Sequence, residues 1–138
     1  MRWQTGLICV FGACVTVVGP VTSGAAADGV ETLICETDQS FDCAPGSTCI
    51  EDDAEAIGLP SILHVNLQSD QVVGTLPDGT DLTAAFAGEV QKDGRLVVTG
   101  IQAGLGWTMT VAKDTGAMAL AISGDGVGFV VFGSCVPN

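Results

Sequence analysis

The chain has no tyrosine, one histidine, and four lysine or arginine residues in 138. Each shortage closes off a class of function. With a net charge of −12 and cations only at Arg2, Lys92, Arg95 and Lys113, the protein repels phosphate backbones and anionic membrane surfaces. Neither nucleic acid nor an anionic bilayer is expected as a partner. His64 alone offers acid–base chemistry near neutral pH. It shares the polar face of a strand-like run with Asn66 and Gln68, and a solvated strand histidine is the plainer account. The chain lacks a Gly-x-Ser-x-Gly elbow, a His-Glu-x-x-His pair, Walker and Rossmann patterns, and any Cys-x-x-Cys. The local signatures of serine hydrolases, zinc peptidases and nucleotide binders are therefore missing. Carboxylate pairs suited to glycoside hydrolysis arise by chance among 16 acids, but without tyrosine an aromatic sugar platform is poorly supplied. Long apolar runs are scarce too. The run over 7–18 falls short of the ~20 residues of a spanning helix, is interrupted at Gly12, and ends at Gly19-Pro20.

What is present starts with that run. A basic Met1-Arg2, the apolar stretch, and the small residues Ser23-Gly24-Ala25-Ala26-Ala27 have the three-part layout of a secretory signal peptide, with the cut expected between Ala27 and Asp28. Residues 1–27 read as leader, and the mature protein is expected in the periplasm or outside the cell. Phe11-Gly12-Ala13-Cys14 faintly resembles an acylation box, but its phenylalanine and the apolar residues beyond Cys14 argue against lipid anchoring. Cys9 and Cys14 should leave with the leader. Cys35, Cys43, Cys49 and Cys135 remain, an even number suited to an oxidising compartment. The preferred pairing is Cys43–Cys49, around the turn dipeptide Pro45-Gly46, with Cys35–Cys135 joining the two ends of the domain. A chain-entropy estimate puts the long loop at about 4.7 kcal/mol and the short one at about half that.

Residues 28–60 carry three of these cysteines and the acidic cluster Glu51-Asp52-Asp53-Ala54-Glu55. Only 31–36 there reads as a strand. The rest reads as a stapled acidic loop, with a helical turn near 53–57 ended by Gly58 and Pro60. The cluster supplies hard oxygen ligands for calcium, but its spacing matches no calcium loop. No metal or other cofactor is expected.

Residues 61–138 read as an antiparallel meander. Apolar or alternating runs at 62–68, 71–76, 82–91, 95–102, 106–112, 117–123 and 127–134 are separated by turns such as Asp78-Gly79, Asp93-Gly94 and Gly124-Asp125-Gly126. Leu63, Val65 and Leu67 share one face. So do Leu82, Phe86 and Val90; Trp107, Met109 and Val111; and Met118, Leu120 and Ile122, with Thr83, Glu89 and Gln91 opposite the second set. The last run is apolar on both faces, as if covered by the stapled loop. With 31–36 the count is eight. The expected fold class is all-β, one domain of about eight strands. Closure into a small barrel would remove the exposed edges, and a Cys35–Cys135 bridge would pin it. A two-sheet sandwich is the alternative. An outer-membrane barrel fits poorly, because most runs are short and the outward positions are largely polar.

A barrel of this size either fills with side chains or holds one small ligand. Phe86, Trp107 and Met109 would line such a cavity, although packed core is the commoner role for these residues. The cysteine layout, the glycine-punctuated strands and the closing Phe132-Gly133-Ser134-Cys135 resemble small secreted four-cysteine proteins of Gram-negative bacteria. That group implies no activity and transfers no functional residues. Lipocalin-like barrels are similar in strand count and meander alone, since Gly106-Trp107 falls late in the chain. The expected function is non-catalytic binding of a small apolar molecule or an envelope protein. The alternative is a hydrolase using His64 and nearby carboxylates.

Overall fold

The computed structural model describes residues 32–138, together with the backbone of a short ladder pairing Cys9–Val10 with Ala13–Cys14. The rest of the expected leader, its cut site and the side chains of the acylation-box-like segment lie outside the described residues. Nine strands form a single antiparallel sheet. They are β1 (Thr32–Cys43), β2 (Ile50–Asp52), β3 (Ile62–Asn66), β4 (Gln71–Thr75), β5 (Asp81–Lys92), β6 (Arg95–Gln102), β7 (Leu105–Ala112), β8 (Ala117–Gly124) and β9 (Val127–Pro137). From β3 to β9 each strand pairs with its successor, and β9 returns to pair with β1. Eight strands thus close into a barrel, and β2 is the extra one. Among the described residues no helix is long and apolar enough to cross a membrane.

Local chemistry makes the walls. Asp93-Gly94, Ala103-Gly104 and Asp125-Gly126 all have positive φ at both residues. This is the type I′ geometry, whose twist matches that of the strands it joins. Inward positions carry Leu63, Val65, Val72, Leu96, Val98, Met109, Val111, Leu120 and Val131, all buried. Glu36, His64, Gln71, Thr83, Thr99, Thr108 and Thr110 take the outward positions. An apolar interior behind a largely polar wall is the reverse of a water-filled barrel set in lipid.

The closing seam is non-local. β9 pairs with β1 from Gly128↔Cys43 to Pro137↔Leu33, with a register shift between Phe132 and Gly133. A side chain at Gly133 would overlap the Glu36 carbonyl and lie 2.9 Å from Met118 Cε, so glycine permits the strands to approach there. Cys35 and Cys135 face each other across the seam with Cα atoms 4.0 Å apart and form a disulfide. Cys43 bonds Cys49, with Cα atoms 4.3 Å apart. Both are the pairings preferred from the spacing.

Three details differ from the sequence reading. First, β1 runs on to Cys43, beyond the expected end at residue 36. Ser40 points inward, fully buried, and its hydroxyl donates to the Asp52 carbonyl at 2.6 Å. Phe41 meets Phe132 edge-on, with ring centroids 6.2 Å apart. A buried serine beside an outward phenylalanine inverts the usual pattern and conceals the strand. Second, the ladder of β5 shifts register between Phe86 and Gly88. A bulge reverses the phase of the residues beyond it. Val90 therefore points outward and is 58% exposed, while Glu89 and Gln91 share the side of Val98 and Leu96. Third, the outer face of β9 is only partly covered. Phe41 packs on it from β1, yet Phe132 and Val136 stay exposed.

Candidate functional site: the open end of the barrel

Strand direction gives the barrel two unlike ends. At the terminal end Asn138 donates its backbone N–H to the Thr32 carbonyl at 3.0 Å. The β5–β6 and β7–β8 turns there hold Lys92, Arg95 and Lys113, every cation among the described residues. The opposite, open end is built from the β4–β5, β6–β7 and β8–β9 turns and the segment between β2 and β3. Its loops carry Asp53, Glu55, Asp78 and Asp125 and no lysine or arginine. Asp78 accepts the Thr80 backbone N–H at 2.8 Å. That hydrogen bond, reinforced by the Thr80 hydroxyl, holds its carboxyl below the ordinary range.

A cavity of about 230 Å³ opens at this end. Buried Leu63, Val72, Ala84, Met109 and Leu120 line it, with Leu82, Trp107, Ile122 and Phe129 around them. Ala103 and Leu105 from the β6–β7 hairpin border it, as does Gln102. Ile57 and Leu59 close one side. They are held by a 3-10 turn (Ala54–Ile57) that ends in left-handed Gly58, where the Gly58 and Leu59 N–H groups donate to Glu55 and Ala54 at 3.0 Å. The helical turn expected near 53–57 is thus present as this short element. A second cavity, of about 170 Å³, lies at the terminal end beside Leu33, Leu96, Gln91 and Lys113. There Lys113 Nζ donates to Gln91 Oε1.

The three candidate cavity residues are brought together unequally. Trp107 and Met109 line the open-end cavity. Phe86 does not. It stands edge-on to Trp107, with centroids 6.2 Å apart and planes at 71°, and buttresses the indole. Gly100, paired with Trp107 across β6 and β7, makes room for the ring, since a Cβ there would overlap the indole and lie 2.6 Å from the Ala85 carbonyl. The contributions of Ile57, Leu59, Ala103 and Leu105 went unread in the sequence. Ile57, Leu59 and Ala103 offered only apolar side chains in turn segments, whereas Leu105 falls in phase with Trp107, Met109 and Val111 at the start of β7.

His64 lies elsewhere, half-buried on the outer wall between its ladder partners Ile34 and Val73. Among the described residues the one ion pair is Arg95–Asp114, at 3.5 Å. The acidic cluster does not converge. Glu51 accepts from Gln39 at 2.7 Å, and Asp52 caps the Asp53 N–H at 2.8 Å. No group of three metal-ligating side chains occurs among the described residues. No titratable side chain lines the open-end cavity, so its chemistry is that of apolar enclosure. Comparison with protein-family models, curated proteins and solved structures finds no match for this chain.

Proposed function

We propose that this protein is an exported, non-catalytic carrier that binds one small apolar molecule in the open end of its barrel. The observation that carries this reading is the 230 Å³ cavity, enclosed by aliphatic and aromatic side chains and open between loops. A dry apolar cavity of about 150 Å³ holds benzene, so this one suits a somewhat larger hydrocarbon skeleton. The acidic loops around the mouth disfavour anions. Export is supported by the leader-like start and by two disulfides of the kind that persist in oxidising compartments. The periplasm or the extracellular space is the proposed location.

The test is calorimetric or NMR titration with toluene, alongside native mass spectrometry of protein purified from its own host. Ala84→Leu extends a side chain into the cavity and should weaken toluene binding at least tenfold while the far-ultraviolet circular dichroism stays unchanged. Equal binding by the folded variant, or no binding by either protein, would sink the proposal. A second reading, docking of an envelope protein, is favoured by one observation. Phe132 is 44% exposed and Val136 59% exposed on the outer face of β9. Under that reading Phe132→Ser abolishes partner capture and leaves toluene binding intact. Under the hydrolase alternative, His64→Ala would remove function.

A further inference from the structure

Trp107 is 8% exposed and lines the open-end cavity. Its Nε1 is the one buried side-chain nitrogen or oxygen among the described residues with no hydrogen-bond partner. Buried tryptophan N–H groups ordinarily find an acceptor. Leaving one unmet is costly, and the neighbours of this ring explain why none is supplied. The indole is fixed over Gly100 and braced by Phe86, and the cavity surfaces around it are hydrocarbon. Gln102 is the only other polar side chain on the cavity lining, and it is exposed at the rim.

Resting on the binding reading above, we infer that Trp107 is its specificity-determining residue. The ligand is an uncharged, mainly hydrocarbon molecule with one carbonyl-type oxygen that accepts the indole N–H. A single well-placed polar group in an apolar pocket fixes orientation and discriminates between ligands of one shape. A carboxylate is excluded by the same surroundings. The loops at this end carry only acids, and burying an unpaired charge among hydrocarbon side chains is far more costly than burying a ketone.

The experiment compares acetophenone with α-methylstyrene, which has the same shape with a methylene in place of the oxygen. Both are titrated into the full chain and into Trp107→Phe. The ratio of the two affinities should fall about fivefold in the variant, in line with loss of one hydrogen bond. In the unsubstituted ¹⁵N-labelled protein the Trp107 indole N–H gives one resonance; a second, from Trp3, is present only where residues 1–27 are retained, and Trp3→Phe removes it. The Trp107 resonance should move on adding acetophenone, and move much less with α-methylstyrene. If both compounds bind, the ratio is unchanged and the resonance responds alike to each, the assignment to Trp107 is overturned while the apolar-cavity reading stands. If neither binds, both fall together. The resonance measurement needs no substitution at Trp107, so a poorly folded Trp107→Phe does not rescue the inference.

Discussion

The barrel wall from β3 to β9 and the seam between β9 and β1 use the same ladder of hydrogen bonds, yet they are made in different ways. In the wall, each strand meets its neighbour after a short turn, and three of the turns are two-residue hairpins with positive φ at both positions. Loop closure there costs little entropy. The seam joins residues 100 positions apart and carries the disulfide on its inner face. Closing so long a loop is the costly step in forming the barrel. The covalent link therefore sits where non-local pairing needs it, and the hairpins manage without one.

Removing the link is the strongest way to break this contrast. Cys35→Ala with Cys135→Ala should lower stability by about 4–5 kcal/mol, read as a shift in urea midpoint under non-reducing conditions. A loss below about 1 kcal/mol would show that the seam holds through its ladder alone. Cys43→Ala with Cys49→Ala opens only a local loop and should cost about 2 kcal/mol. If it costs more than the seam pair, the proposed order of importance is wrong. The hairpins allow a change of opposite sign. Ala103 occupies the left-handed region at φ 51°, which disfavours a side chain by roughly 1 kcal/mol. Ala103→Gly should stabilise the protein by up to that amount, less the backbone entropy of the new glycine, measured by thermal unfolding.

The smallest effect belongs to the β4–β5 turn. Hydrogen bonds from Thr80 lower the Asp78 pKa in the folded state below its ordinary 3.8. A carboxylate with a depressed folded pKa stabilises above its unfolded value, and the contribution is lost as pH falls through the folded one. Asp78→Asn should therefore melt slightly lower than the parent at neutral pH. The gap should close as the pH drops below 3.8. A gap independent of pH would point to packing in the turn instead of charge.

Most of the wall was legible because its signals are local. Leu63 and Val65, Trp107, Met109 and Val111, and Met118 and Leu120 alternate with polar or small residues, and Asp-Gly pairs mark the hairpins. The hidden parts are those where neighbours outvote the pattern. Ser40 is buried because the Asp52 carbonyl, brought in by β2, accepts its hydroxyl. Phe41 points outward onto Phe132. The bulge after Phe86 turns Val90 out and Gln91 in, and alternation read through a bulge is wrong on the far side of it. At the candidate site, Trp107 and Met109 were recognisable as inward residues. Leu105 continues the same inward alternation at the start of β7, whereas the turn residues that finish the cavity, Ile57, Leu59 and Ala103, obey no periodic rule.

Alternation and turn chemistry, which act over a few residues, were enough to specify an all-β meander. The spacing of four cysteines suggested how its ends would be tied. Whether the inward side chains meet or leave a hole was decided by the tertiary structure alone. That outcome depends on how far apart the walls stand, on where the 3-10 turn seats Ile57 and Leu59, and on how Gly100 lets the Trp107 indole lie down. These are distances between residues remote in the chain, set by closure of the whole barrel and carried by no short stretch of it.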